Sequence, residues 1–366
     1  MNEVELTQEL VRINSENPPG NEKQIAKFIY DYLNDLKIPT ELIKIEGNRF
    51  DVVGALGKEN GLMLNGHLDT VPAGDLKNWK YDPFSGKIIG DKLYGRGTSD
   101  MKGGVAAMLA ATKDLAKEKF KRKLLLTFVA DEEVGQGGSI YLIKYRKNLL
   151  KDIKYGVVGE PREMNIGIAN KGVIDFIVKF FGKSAHGSKP WLGDNAILKA
   201  SKFIQKLNKL SKNLKIKDQL LGKGTINVGI IKGGTKINMV PDFCEIEIDR
   251  RIVPRETPQM ALNQIKSLAK EFSDKVKIEM ARSRSPLKIS KNSEIVKLLQ
   301  QIAKTKLVVS MGYNESELYY RSCGIECVAC GPGTSDAAHI TNEFIKISNL
   351  KKGTIIYKNL IRKWCL

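Results

Sequence analysis

Histidine is scarce: the 366 residues include only His67, His186 and His339, so each can be weighed individually. Cysteine is sparse and odd in number, at Cys244, Cys323, Cys327, Cys330 and Cys365. That excludes a complete disulfide framework and fits a reducing compartment. Cys327 and Cys330 form a lone C-x-x-C inside the apolar stretch Ile325-Glu326-Cys327-Val328-Ala329-Cys330, the pattern of buried small side chains. Long apolar runs are missing too; the longest, near 124–130 and 105–111, are too short to span a bilayer. The opening Met1-Asn2-Glu3-Val4-Glu5 is acidic and has no apolar core of a secretion signal. The expectation is a cytoplasmic protein without membrane contact.

Charge of one sign is abundant. Sixty Lys and Arg against 41 Asp and Glu give +19, which raises nucleic acid or an acidic partner as a hypothesis. The densest run has lysines at 199, 202, 206, 209, 212, 215 and 217, with Phe203, Ile204, Leu207, Leu210 and Leu214 between them at helical spacing. That describes a solvated helix face. There is no Arg-rich tail, no aromatic stacking platform and no nucleic-acid motif, so a basic nucleic-acid-binding protein is the weaker alternative. Hydrophobic residues at 42% and charged residues at 28% are ordinary globular values. At about 150 residues per domain the length predicts roughly 2.4 domains.

The first 168 residues alternate helical and extended patterns, which predicts an α/β sheet. Helices are expected at 3–14 and 21–36, a strand pair at 51–65, helix 102–118, strand 123–130, helix 138–148 and strand 155–159. The last 80 or so residues resume that rhythm, with helix 293–304, strand 306–309, helix 315–321, strand 325–330 and helix 349–363. Between them come strand 173–181, helix 195–211, strands 225–231 and 243–250, helix 257–272 and strand 275–281. This βαββαβ order is the ferredoxin-like module. The expected plan is an α/β domain in two parts, 1–170 and 284–366, interrupted by an α+β domain at 171–283. Strand 243–249 alternates apolar and acidic residues, so one face of the inserted sheet should be wet or paired, and an exposed face or edge there would suit a dimer contact.

His67 follows the apolar strand Leu62-Met63-Leu64, with Asp69 two residues on. In extended backbone the two project to the same side, so Asp69 can accept a hydrogen bond from His67 and orient it. Taken alone, this is also the pattern of a histidine held at a strand end. Asp100 precedes an Ala-rich helix, where an ordinary N-cap competes as an explanation. Asp131-Glu132-Glu133 closes the apolar strand 124–130, crowding three acids at a strand's carboxyl end, where open α/β sheets bind ligands. Glu160 ends Gly156-Val157-Val158-Gly159, and His339 follows another strand. Imidazole and carboxylate without thiolate suit zinc, manganese or cobalt in an open catalytic site, and a bridging carboxylate suits two ions about 3.5–4 Å apart.

With these residues in hand, the chain resembles the metal-dependent amidohydrolase and peptidase family that includes acetylornithine deacetylase, succinyl-diaminopimelate desuccinylase, aminoacylase and glutamate carboxypeptidase. The likeness covers nearly the whole chain. It rests on Asn17-Pro18-Pro19-Gly20, Gly66-His67-Leu68-Asp69-Thr70-Val71-Pro72, Gly95-Arg96-Gly97 to Asp100-Met101-Lys102-Gly103-Gly104, Asp131-Glu132-Glu133, Gly159-Glu160-Pro161, Ser184-Ala185-His186, Gly233-Gly234-Thr235 to Asn238-Met239-Val240-Pro241, and Gly331-Pro332-Gly333 to His339. By that resemblance His67 and Glu160 would hold one metal, Glu133 and His339 the other, and Asp100 would bridge them. Asp69 would orient His67, and Glu132 would be the general base. A cis peptide would follow Asp100.

The same resemblance implies a catalytic domain with a mixed sheet flanked by helices. The insertion would be a lid and dimerisation domain. His186 would stabilise the oxyanion of the tetrahedral intermediate, in many members across the dimer. Asn238 and Arg251 would bind the substrate's carbonyl oxygen or carboxylate, with Arg250 adjacent to the latter, and Gly331 and Gly333 would bring backbone amides near that carboxylate. The expected activity is hydrolysis of N-acyl amino acids of the acetylornithine or succinyl-diaminopimelate type, using two divalent ions, zinc foremost with cobalt or manganese as substitutes. A carboxypeptidase or dipeptidase on the same site is the near alternative. Release of lysine or ornithine from an acidic carrier protein is another, for which +19 would help by steering.

Overall fold

The strands Leu124–Val129 and Gly61–His67 are buried along their whole length, so they can sit only inside a covered sheet. The computed structural model describes residues 1–366 and puts them there. The chain divides into two units: Met1–Ile168 with Ile289–Val308 and Asn314–Leu366, and Ala169–Lys288 with Val309–Tyr313.

In the first unit the sheet runs Thr40–Glu46, Arg49–Leu56, Leu124–Val129, Gly61–His67, Ile153–Pro161, Glu326–Gly331, Ile166–Asn170. The four strands from Leu124–Val129 to Glu326–Gly331 pair parallel to one another, while the flanking pairs are antiparallel. This is a mixed α/β sheet. Parallel pairing sends the carboxyl ends of those four strands to one rim, which is where His67, the turn after Val129, Glu160 and the segment after Gly331 emerge. The helix Gly103–Lys113 is buried from Gly103 through Thr112. An almost uninterrupted Ala/Val/Met/Leu surface explains this, since such a helix has no polar stripe to turn outward.

Two differences from the sequence expectation have local causes. Thr40–Glu46 forms an edge strand that the pattern does not announce, because only Ile43 of its seven residues is buried. The helix expected at 102–118 begins at Gly103 and ends at Lys113. Asp100 and Met101 lie outside helical dihedrals, and Leu115 closes a turn onto Thr112 instead of continuing the helix.

In the second unit the sheet order is Thr225–Gly233, Phe243–Ile252, Gly172–Phe181, Val276–Arg284, antiparallel throughout. With helices Ala196–Lys212 and Pro258–Lys270 this is the ferredoxin-like arrangement. Ile174, Phe176, Val178, Phe180, Ile246 and Ile248 form one core with Ala200, Phe203, Leu207 and Ile265 of those helices. Alternate residues point to the other face and pair across strands: Lys179 with Glu245 at 3.3 Å, Lys232 with Glu247 at 3.0 Å and Arg282 with Asp175 at 2.9 Å. No helix is long and apolar enough to cross a membrane, and none of the five cysteines is in a disulfide.

Candidate active site

Five of the residues singled out as ligands meet at the rim of the first unit's sheet. His67 Nε2 lies 3.1 Å from Asp100 Oδ1, and His339 Nε2 lies 3.4 Å from Asp100 Oδ2. Each oxygen of one carboxylate thus faces a different imidazole. His339 Nε2 is also 3.2 Å from Glu133 Oε1. The possible donor atoms of His67, Asp100 and Glu133 lie within 4.8 Å of one another, as do those of His67, Glu132 and Glu160. His67 is 1% exposed and His339 52% exposed, so the cluster opens to solvent on the His339 side. The peptide bond after Asp100 is cis. Asp100 does not cap the following helix, whose N-cap is Lys102 with no side-chain hydrogen bond.

The electrostatics ask for positive charge. Burial works against ionisation of Asp100, but hydrogen bonds from His339 and His67 outweigh it and hold this carboxyl below the usual range. Hydrogen bonds to Asp100 and Glu133 push His339 up to about 10. Burial favours neutral His67, yet the Asp100 and Asp69 carboxylates beside it hold it well above the ordinary value. Burial lifts Glu132 well above the carboxylate range, with His67 pulling down and Glu133 pushing up. Glu160 is raised by burial and by Asp100. Two imidazoles and several carboxylates, with no thiolate, form a donor set that fits zinc, cobalt or manganese.

Asp69 corrects one expectation. His67 Nδ1 meets the Asp69 backbone carbonyl at 2.9 Å, whereas the carboxylate Oδ1 is 3.6 Å away. That carboxylate is occupied elsewhere: it accepts the amides of Glu132 at 3.0 Å and Glu133 at 3.1 Å, and Asn17 Nδ2 at 2.8 Å. It therefore fixes the backbone that carries Glu132 while the carbonyl orients the imidazole.

Sequence reasoning missed the rest of this scaffold. Arg49 pairs with Asp131 and Glu22, and Asn17 bridges Asp69 and Asp131. Gln136 Nε2 donates to Glu132 Oε1 at 3.2 Å. Asn17 stood in a marked motif without a role, whereas Arg49 and Gln136 sit in hairpin and turn positions that no periodicity distinguishes. Gly331 and Gly333 are required by close approach: an added Cβ would meet Gly159 O at 1.9 Å and Ser99 O at 2.1 Å.

His186, Asn238 and Arg251 lie in the second unit. An isolated bridge pairs His186 with Met239, and Gly187 N donates to Asn238 O at 2.7 Å, so His186 and Asn238 sit side by side despite their separation in sequence. Both are exposed. Ser188 N donates to His186 Nδ1 at 3.1 Å, so the neutral ring carries its proton on Nε2. Arg250 is buried and paired with Glu256, whereas Arg251 is 26% exposed and forks onto Asp249 at 2.7–3.1 Å. Of the two arginines, Arg251 is the accessible one.

A mixed α/β sheet with imidazole and carboxylate donors at its carboxyl rim is the frame of a metal-dependent hydrolase. Residues 63–363 match Peptidase family M20/M25/M40, and the chain belongs to that family, whose members hydrolyse amide bonds. A probable succinyl-diaminopimelate desuccinylase of Staphylococcus aureus is 28% identical over 392 residues, spanning 97% of this chain and 95% of the relative. Acetylornithine deacetylase of Salmonella typhimurium is 28% identical over 357 residues, 93% of this chain and 91% of its own. Among solved structures, an M20 family metallo-carboxypeptidase from Sulfolobus solfataricus aligns at a TM-score of 0.82 and 22% identity, covering 99% of both chains.

Proposed function

We propose that this protein hydrolyses the amide bond of an N-acyl amino acid, with acetyl or succinyl as the acyl group, releasing a carboxylic acid and a free amino acid. The observation that carries the reading is Asp100, whose two carboxylate oxygens address His67 and His339 separately. The curated relatives' names supply the substrate class.

His67 and Glu160 would hold one divalent ion, Glu133 and His339 a second, with Asp100 shared between them. Such ions lower the pKa of water toward about 7 and polarise the scissile carbonyl. Glu132 takes the proton from the attacking water on a carboxylate oxygen and delivers it to the leaving amine nitrogen. Burial suits it to that cycle, since a carboxylate raised above its ordinary range accepts a proton readily. Asp69 and Gln136 hold Glu132 in place, through its amide and its carboxylate. In the second unit His186 would donate from Nε2 to the oxyanion, Asn238 to the substrate's carbonyl oxygen and Arg251 to the substrate carboxylate; in the first, the Gly331 and Gly333 amides are candidates for that carboxylate. In this reading the second unit, residues 171–283 in the sequence expectation, is the lid and the dimer contact. The free cysteines suit a cytoplasmic, reducing setting.

The test is a panel of N-acetyl and N-succinyl amino acids, dipeptides and carrier-linked lysine or ornithine, run with zinc, cobalt, manganese or chelator. Turnover of the acyl amino acids that chelator abolishes and added metal restores is the expected result. Cleavage of dipeptides alone would favour a carboxypeptidase or dipeptidase. Carrier-linked turnover that falls steeply with salt would favour the basic surface as a docking field. A protein that binds nucleic acid and no metal would end the hydrolase proposal.

A further inference from the structure

Glu343 lies just past His339, immediately before the strand Phe344–Lys346. Its side chain is 1% exposed, and its carboxylate receives four hydrogen bonds. They come from Arg96 Nη1 at 2.7 Å, Gly97 N at 2.9 Å, Ser99 N at 2.8 Å and Asp100 N at 3.0 Å. Three of these donors are amides of the loop that carries Asp100, yet the acceptor belongs to the loop that carries His339. Its backbone carbonyl adds a bond from Gly95 N at 2.9 Å, continuing the pairing of Phe344 with Tyr94.

Arg96 extends the junction. Nη1 reaches Ile340 O at 3.3 Å and Nη2 reaches Pro72 O at 3.2 Å, while the guanidinium faces the Trp79 ring at 5.2 Å. One buried ion pair is therefore bonded to the three segments that present His67 and Asp69, Asp100, and His339. A buried pair is a poor source of stability, because desolvating both charges offsets most of their attraction. What it does supply is fixed geometry, and here that geometry joins ligand-bearing loops. Glu343 has no direct contact with any candidate ligand's side chain among its hydrogen bonds; it acts through the backbone of residues 97–100.

We propose that the Arg96–Glu343 pair is a positioning device for the cation site: by tying the Asp100 loop to the His339 loop it sets the spacing of Asp100 and His339, and through it the affinity for the ion those residues share. This rests on the two-cation hydrolase reading. Outer-shell partners of this kind change metal affinity by roughly 10–100-fold when removed.

The test is calorimetric titration of ion-free protein with zinc and, separately, cobalt. Glu343→Gln is expected to bind one of two ions about 10–100-fold more weakly, and to regain kcat as zinc is raised, with KM for substrate little changed. Arg96→Lys, which keeps the charge but loses the fork, should shift affinity the same way by less. Glu256→Gln breaks the other buried pair, Arg250–Glu256, and controls for general loosening; it should bind both ions as the wild type does. In a His339→Ala background Glu343→Gln should add no further loss. Wild-type affinity for both ions in folded Glu343→Gln or Arg96→Lys would overturn the inference, as would an equal loss in Glu256→Gln. A wild type that binds no ion overturns it together with the hydrolase reading, and the wild-type titration alone separates that case.

Discussion

The two units treat buried charge in opposite ways. In the second, the buried carboxylates are Asp218 and Glu256, and each meets a cation, Lys288 at 2.7 Å and Arg250 respectively. In the first, Glu22, Asp51, Asp69, Glu160, Glu315, Glu317 and Glu343 are all buried, and of the lysines and arginines only Arg49, Arg96 and Arg321 form ion pairs with them. Burial then raises several carboxyls: Glu22 to about 7 and Glu315 to about 8, each chiefly by desolvation. One unit is satisfied by its own side chains, and the other carries an anionic rim that divalent cations would complete. The candidate residues divide along the same line, with a dense preformed cluster in the first and the exposed His186 and Asn238 in the second.

The largest expected effect comes from removing the ions. Chelation should abolish turnover and speed hydrogen exchange at 131–137 and 335–342, while Gly172–Phe181 and Phe243–Ile252 stay protected. Restoring ions to 100 times their Kd should return about 2.7 kcal/mol of stability, read as a rise in Tm. Equal deprotection of both units would break the contrast between them. Next in size, Glu132→Gln should lower kcat by about 10²–10⁴-fold with bound metal and KM unchanged; full turnover would remove Glu132 as the base.

His186→Gln should cost about 10²–10³-fold in kcat, the loss of one oxyanion donor. Because His186 is exposed, its Tm and metal content should match the wild type, and a fall in either would blur the division of labour. The smallest effect concerns Glu315, held protonated by burial. From its ordinary value of 4.5 up to about 8 the unfolded chain releases this proton while the folded chain keeps it, so ion-free protein loses stability as pH rises through that window. Glu315→Gln should flatten that slope, gaining about 2–4 °C in Tm per kcal/mol recovered at alkaline pH and nothing at pH 4. An unchanged slope would move the source elsewhere.

Much of this was legible in the residues themselves. Apolar strands followed by His67, Asp131-Glu132-Glu133, Glu160 and the Gly331 segment gave a rim of donors, because a parallel sheet sends carboxyl ends to one side. The βαββαβ order gave the second unit's topology in the same manner. Arg49, Gln136 and Glu343 were not legible: Arg49 and Glu343 meet partners far along the chain, Gln136 reaches the Glu132 carboxylate from within a turn, and such bonds leave no period in sequence. Asp69 was half-read, since side-chain direction along a strand locates a carboxylate near His67 but cannot tell that amides at 132 and 133 will compete for it.

The most direct measurement is anomalous diffraction from crystals grown with zinc. Two peaks about 3.5–4 Å apart are expected, one against His67 and Glu160 and the other against Glu133 and His339, with Asp100 between them. Ions bound away from Asp100, or none at saturating zinc, would contradict the central claim that this rim is built to be completed by cations.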